Sequence, residues 1–135
     1  MLAEKEIIVI SINGYFESLH FTECRLGQPM VENDTLQVRV SNLHIMKGHP
    51  LCTQGSSLVS GVLMFIGIKR SIRKVTEYIG DPKNPDGFRD EYLITDIEEV
   101  DIGGAEVFLM EGVTEQPSAW IDWEIRASRF ELQVD

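Results

Sequence analysis

Five side chains of the types that bind transition metals lie in the first half of the sequence. They are His20, Cys24, His44, His49 and Cys52. His20 and Cys24 are four residues apart on a predicted strand, which separates them by about 13 Å at ~3.3 Å per residue. Two ligands of one zinc must be much closer, because each lies ~2 Å from the ion. His49 and Cys52 share a loop, but two ligands do not complete a site, so we expect no metal and no other cofactor.

Carboxylates are the second group with potential chemistry, and several crowd together between residues 96 and 101. Glycoside hydrolysis needs two carboxyl groups roughly 5 to 9 Å apart across a cleft. In a chain with a net charge of −10, close pairs of acids also arise by chance. The sequence has no Gly-x-Ser-x-Gly elbow, phosphate-binding loop or dinucleotide fingerprint. We therefore expect no enzymatic activity and keep a weak hydrolase as the lesser alternative.

The two tryptophans are candidates for a binding platform. Trp120 and Trp123 are three residues apart on a predicted strand, so they point to opposite faces. Trp123 is in phase with Ile125 and is expected in the core, whereas Trp120 is in phase with acidic side chains and is a candidate anchor for a partner. The predicted binding residues are Trp120, Asp122, Glu124, Asp96, Glu98, Glu99 and Asp101.

The charge of the chain is concentrated in its second part. Residues 1–80 carry seven acids and eight bases, whereas residues 81–135 carry fifteen acids and four bases. An acidic surface argues against nucleic acid or an anionic membrane as a partner. We expect either a basic protein partner or self-association. The basic cluster, Lys69, Arg70, Arg73 and Lys74, is expected to pair with the acidic part rather than to bind phosphate.

Location and size follow from simple counts. No stretch approaches the ~20 apolar residues that a membrane span needs. The beginning of the chain has Glu4 and Glu6 where a secretory signal would carry bases. Two cysteines are too few for a disulfide framework, so both are expected to be buried thiols in a reducing compartment. We expect a cytoplasmic protein with one domain, residues 1–135.

The densest apolar run, residues 62–66 (VLMFI), is the predicted central strand. Its short length between two glycines predicts a strand buried on both faces, with Phe65 and Ile66 in the core. Residues 69–79 fit both a helical spacing and a strand. Their β-branched residues and Tyr78 favour a strand with a bulge.

Turn signals and changes of apolar phase complete the outline. The phase changes at residues 41–42 and again after Ser128, and each change predicts a β-bulge. Residues 7–12 predict an interior strand, and 18–26 a strand that Gly27-Gln28-Pro29 ends. Gly103-Gly104 predicts a two-residue hairpin turn, and residues 81–87 predict the loop of a long hairpin from Tyr78 to Tyr92.

Together these patterns predict an all-β fold. We expect a single antiparallel β-sandwich or barrel of seven to eight strands, with bulges and at most one short helix. The expected function is that of a non-enzymatic acidic protein that binds another macromolecule. An inhibitor or immunity-type protein that masks a basic enzyme surface would fit. The alternative is a small-molecule or lipid binder that uses the interior of the barrel.

Overall fold

The computed structural model describes residues 10–52, 56–79, 83, 89–115 and 118–135. Within these ranges no helix reaches seven residues, so the predicted all-β class is confirmed. One 3₁₀ turn, Phe16–Ser18, accompanies ten strands. The strands are β1 (Ile10–Asn13), β2 (Leu19–His20), β3 (Arg25–Glu32), β4 (Thr35–Met46), β5 (Ser56–Ile66), β6 (Arg70–Tyr78), β7 (Arg89–Glu98), β8 (Glu106–Glu115), β9 (Ser118–Ala127) and β10 (Arg129–Val134).

The strands form one open sheet that folds into two facing halves. Its order is β1-β10-β5-β4-β3-β8-β9-β6-β7, with β2 paired to β4. We call β1, β10, β5, β4 and β3 the first half, and β8, β9, β6 and β7 the second half. Among the described residues, the pairings are antiparallel except for one parallel bridge between Arg25 and Val113, which joins β3 to β8.

Phenylalanine side chains hold the two halves together. Phe65 and Phe130 are direct partners across β5 and β10, with ring centroids 5.1 Å apart. Phe108 comes from the second half, and its ring lies 5.5 Å from that of Phe65. Phe16 in the 3₁₀ turn packs 5.0 Å from both Phe108 and Phe130. Aromatic side chains bury large apolar areas, so this cluster contributes strongly to the contact between the halves.

The central strand β5 is buried on one face only. Leu63 and Phe65 are completely buried, whereas Met64 and Ile66 are half-buried. The prediction that Phe65 lies in the core is confirmed, and the prediction for Ile66 is wrong. A continuous apolar run suggests burial on both faces, but here only the face toward the other half of the sheet is covered. Gly61 lies inside β5, where a Cβ atom would collide with the carbonyl oxygen of Gln133 on β10.

The phase changes have two different structural causes. In β4 the register shifts between Val40 and Leu43, and Asn42 has a φ of 57°, so the predicted bulge is confirmed. Within residues 69–79, β6 is a strand, as expected, but the register skips Asp96 opposite Ser71 and Ile72, so the bulge lies in β7 and the bulge predicted in residues 69–79 is wrong. The bulge predicted after Ser128 is wrong. Ser128 instead lies at a corner where the chain leaves β9 in the second half and enters β10 in the first half.

Three predicted connections differ from the structure. Gly103-Gly104 does not join a hairpin, because β7 pairs with β6 and β8 pairs with β9. Gly27-Gln28-Pro29 does not end a strand: these residues lie within β3, which absorbs them with a register shift, and residues 18–26 include only the two-residue β2 and the start of β3. β1 is at one end of the sheet rather than inside it, and residues 7–9 lie outside the described residues.

The long hairpin between β6 and β7 is confirmed. Tyr78 is the register partner of Arg89, and the pairing continues to Arg70 and Glu98. Of the predicted loop 81–87, only Lys83 belongs to the described residues. Among the described residues, no helix has the length and apolar character needed to cross a membrane.

Candidate binding groove

A groove of about 570 Å³ runs across the outer face of the second half of the sheet. Strand register builds its floor, because partners in neighbouring strands line up in rows. One row runs from Leu93 through Lys74 and Asp122 to Glu111. The next row brings Ile72, Glu124 and Leu109 together in the same way. Four strands therefore bring apolar and charged side chains to one face.

Two leucines in this groove are unusually exposed. Leu93 on β7 is 69% exposed and Leu109 on β8 is 66% exposed. Ile72 lies between them on β6 and is half-buried. Single exposed leucines are common, but apolar side chains that share one concave face are typical of binding surfaces. The groove therefore offers an apolar floor that the fold itself leaves uncovered.

Residues 19–22 form one wall of the groove. Leu19 and Phe21 point into the core and are almost fully buried, so they anchor the segment. His20 pairs with His44 across β2 and β4, and the hydroxyl of Thr22 donates a hydrogen bond of 3.4 Å to Glu111. Residues 19–22 come early in the sequence, whereas the floor of the groove comes from β6 to β9. The groove therefore combines residues that are distant in sequence.

Acids outnumber bases in the lining of the groove. Asp122, Glu124 and Glu111 contribute three carboxylates, against the single amine of Lys74. That amine lies 3.9 Å from a carboxylate oxygen of Glu91, so its charge is partly offset from outside the groove. The charge of Glu124 is likewise partly offset, by Arg70 at 3.8 Å and Arg126 at 3.9 Å. With Asp122 and Glu111 the lining still carries more acids than bases, so the groove would attract cationic side chains.

The basic cluster pairs with the acidic part of the chain, as expected. Its four members each lie within 4 Å of at least one carboxylate from residues 91–124. The ion pairs are Lys69 with Glu99, Arg70 with Glu98 and Glu124, Arg73 with Asp96, and Lys74 with Glu91. These pairs join neighbouring strands of the second half and its adjoining loops, so the cluster is used within the fold.

The predicted site residue Asp96 faces the core rather than a partner. Both of its carboxylate oxygens accept hydrogen bonds from Arg73, at 2.9 and 2.7 Å. Ser71 donates to the same carboxylate at 2.8 Å and accepts a hydrogen bond of 2.7 Å from the indole of Trp123. The guanidinium of Arg73 also lies 5.2 Å from the centre of the Trp123 ring. Asp96 therefore belongs to an internal polar network and is not part of the proposed recognition surface.

The other acids predicted between residues 98 and 101 have partners outside the groove. Glu98 ends β7 and lies beside Arg70, whereas Glu99 accepts a hydrogen bond of 3.1 Å from Lys69. Asp101 accepts a hydrogen bond of 2.9 Å from the backbone N–H of Gly103 and so holds a turn. None of these three side chains lines the groove.

The residues predicted on β9 lie together on the outer face. Asp122 is exposed and Glu124 half-buried, and both line the groove. Trp120 is half-buried on the same strand, beyond the groove lining. Trp123 points the other way and is 2% exposed, so its predicted place in the core is confirmed.

Sequence reasoning missed Leu93 and Leu109. The run Val107 to Met110 contained a usable signal. Four successive apolar residues make both faces of a strand apolar, so if only one face is covered the other exposes apolar side chains. Phe108 and Met110 cover the core, so Val107 and Leu109 must face outward. Leu93 carried a weaker signal, because its outward direction depends on the register of β7.

Of the candidate metal ligands, His20 lies in the wall of the groove, whereas Cys24 and His49 are buried. Cys24 is fully buried, and burial raises the pKa of its thiol to about 12, so it stays protonated. His49 accepts a hydrogen bond of 3.1 Å from the backbone N–H of Leu51, and burial lowers its pKa. In the described ranges, no three His, Cys, Asp or Glu side chains lie close enough to hold one metal ion.

Comparisons with known proteins add no relative. No protein-family model, no curated protein sequence and no solved structure matches this chain. The groove must therefore be interpreted from its own residues.

Proposed function

We propose that this chain is a non-enzymatic acidic protein that binds a basic region of another protein through the groove. One observation carries the proposal. Leu93 and Leu109 are 69% and 66% exposed in a groove whose charged lining is three carboxylates and one amine. The apolar floor and the acidic side chains of the groove together fit a partner segment that presents both apolar and cationic side chains.

An inhibitor or immunity-type protein that masks a basic enzyme surface would use such a face. Trp120 adjoins the groove and would supply a half-buried aromatic anchor. A cytoplasmic location is part of the proposal, and the buried thiol of Cys24, which forms no disulfide, fits it. Self-association has less support, because two copies of an acidic groove would repel each other.

The alternative of a ligand inside the barrel draws less support from the packing. Phe65, Phe108 and Phe130 meet between the halves and are at most 5% exposed. An interior ligand would have to displace these rings, whereas the groove is open without rearrangement. Binding of a small molecule or lipid stays a prediction.

Capture of a partner followed by association kinetics tests the proposal. The chain would be used as bait in an extract of its source cell, and the captured partner would then be purified. Raising the salt from 0.1 to 1 M should slow association steeply, because the screening length falls from ~10 Å to ~3 Å. Dissociation should change less, because it depends on buried contacts.

Charge reversals identify the surface that is responsible. Asp122→Lys with Glu111→Lys should slow association further, while Glu17→Lys with Glu32→Lys is the matched control on exposed acids elsewhere. An association rate that is independent of salt, or one that both double variants change equally, would show that the groove charges do not guide binding.

A further inference from the structure

The strand β7 is an open edge next to the groove. In the described part of the chain it pairs with β6 from Arg89 to Glu98, and no strand lies along its other side. Along an edge strand, a row of backbone N–H and C=O groups remains available to an added strand. The register is regular from Arg89 to Thr95, which offers about 20 Å of uninterrupted backbone at ~3.3 Å per residue.

We propose that β7 accepts an extended segment of the partner protein as an additional strand, with basic and apolar side chains alternating on the groove side. This inference rests on the proposed function, because it specifies how a basic partner would reach the groove. Backbone hydrogen bonds would supply affinity, and side chains on alternate positions would supply specificity.

The outward side chains of β7 define what the added strand must carry. Glu91, Leu93 and Thr95 alternate along the strand on the groove side, and all three are exposed. Directly opposite positions in paired strands bring their side chains into contact. A residue opposite Leu93 would therefore be apolar and would extend the floor of the groove. A residue two positions away would lie opposite Glu91 and would be a lysine or arginine.

Charge argues against a second copy of β7 as the added strand. Residues 89–98 contain one base and four acids. Pairing two such edges would bring like charges together, which destabilises directly opposed strands. The bulge at the Asp96 end further limits pairing with an identical edge. A basic strand from another protein meets neither obstacle.

Two synthetic peptides of identical composition test the inference. Both are blocked at their ends and rich in threonine. One places lysine and valine two residues apart, on the same face of a strand, and its isomer places them side by side, on opposite faces. At saturating concentration the first peptide should slow hydrogen exchange of alternate β7 amides by about tenfold, as expected for one added hydrogen bond. The isomer should bind more weakly.

Two leucine variants provide a matched control. Leu93→Lys should remove the protection of the β7 amides. Leu58→Lys should leave it unchanged, since Leu58 is 57% exposed on β5 in the other half. N-methylation of the peptide on its pairing edge should weaken binding by about tenfold or more. Equal binding of the N-methylated peptide, protection that falls on β1, or no binding of any basic peptide would overturn strand addition.

Asp122→Lys separates this inference from the proposed function. If the variant abolishes peptide binding while the β7 amides stay unprotected in the parent protein, the groove binds basic segments and strand addition is wrong. If the β7 amides are protected and Asp122→Lys has no effect, strand addition holds and recognition by the groove charges is wrong.

Discussion

The two halves of the sheet differ in where they place polar and apolar side chains. On the inward face of the first half, Leu36, Val38, Leu63 and Phe65 are fully buried. The inward face of the second half contains the network of Ser71, Arg73, Asp96 and Trp123. Its outward face, in turn, leaves Leu93 and Leu109 exposed. Both halves leave large apolar side chains exposed, since Met30 and Leu58 in the first half are 58% and 57% exposed, whereas the charged network of Arg73 and Asp96 lies on the inward face of the second half.

This difference indicates that the two halves have different roles in stability and in binding. Burial of apolar side chains is the main source of stability, and the first half provides it through inward side chains such as Leu36, Val38 and Leu63. A buried ion pair contributes little net stability but holds its strands in one register. In the second half that register sets which side chains of β7 face the groove. The predictions below test this contrast, from the largest expected effect to the smallest.

Phe65→Ala tests the role of the first half in stability. Removing a fully buried phenylalanine should lower the free energy of unfolding by ~3–5 kcal/mol, because it leaves a cavity among the other rings. Urea unfolding measures the change. Met64→Ala is the control on the outward face of the same strand and should cost about 1 kcal/mol. A loss below ~1 kcal/mol for Phe65→Ala would show that the aromatic cluster does not join the halves.

Asp96→Ala tests the polar network of the second half. The side chains of Arg73 and Asp96 are only 12% and 11% exposed, so removal of the carboxylate leaves a guanidinium with little access to water. We expect a loss of about 3 kcal/mol in urea unfolding. Glu98→Ala on the same strand should cost much less, because the Glu98 side chain is itself 52% exposed. Equal losses would contradict the contrast between internal and surface pairs.

His49 provides a pH test of the first half. It lies buried in the loop after β4, and its Nε2 has no hydrogen-bond partner among the described residues. Burial lowers its pKa in the folded state, so the folded protein prefers the neutral ring. Below pH ~6.5 the unfolded chain binds a proton that the folded chain does not, and stability falls as the pH falls.

The comparison with His49→Asn isolates this contribution. The parent protein should lose up to ~1.4 kcal/mol per pH unit more than the variant below pH ~6.5, until the folded ring itself is protonated. Urea unfolding at a series of pH values measures both slopes. Parallel curves for the two proteins would show that His49 does not titrate differently in the folded and unfolded states.

Glu115→Ala should have the smallest effect. Its ion pair with Arg25 spans 2.7 Å, but the two side chains are 68% and 63% exposed. Solvent screens such a pair, so the expected loss is below ~1 kcal/mol. Arg25 is also the register partner of Val113 in the parallel bridge between β3 and β8. A larger loss in urea unfolding would show that the pairing of these two strands depends on the ion pair.

Some of the fold could be predicted because local pattern and tertiary structure agree. The alternation of Ile121, Trp123 and Ile125 fixed the inward face of β9, and the phase change near Asn42 located a bulge. The loop signal of residues 81–87 predicted a long hairpin from Tyr78 to Tyr92, and β6 and β7 form that hairpin. Each prediction required only residues that are close in sequence, where few alternative arrangements exist.

Other predictions failed where the partner strand is far away in sequence. A phase change marks a bulge when the strand keeps its partners, as in β4, and a corner when it exchanges them, as at Ser128. Gly103-Gly104 forms a turn, but the strands on its two sides pair elsewhere. The local pattern is the same in each case, and only the identity of the neighbouring strands distinguishes the outcomes.

The candidate site shows the same limit in its chemistry. By itself, the sequence determined the all-β class, the acidic charge of the second part, and the outward direction of Asp122 and Glu124. Tertiary structure alone decided that Asp96 is internal, that Leu93 and Leu109 share a groove, and that β7 is an edge. Composition and alternation are properties of the chain read in order. Which carboxylate meets an arginine, and which leucine stays uncovered, depends on strand register and sheet order, which bring residues distant in sequence into contact.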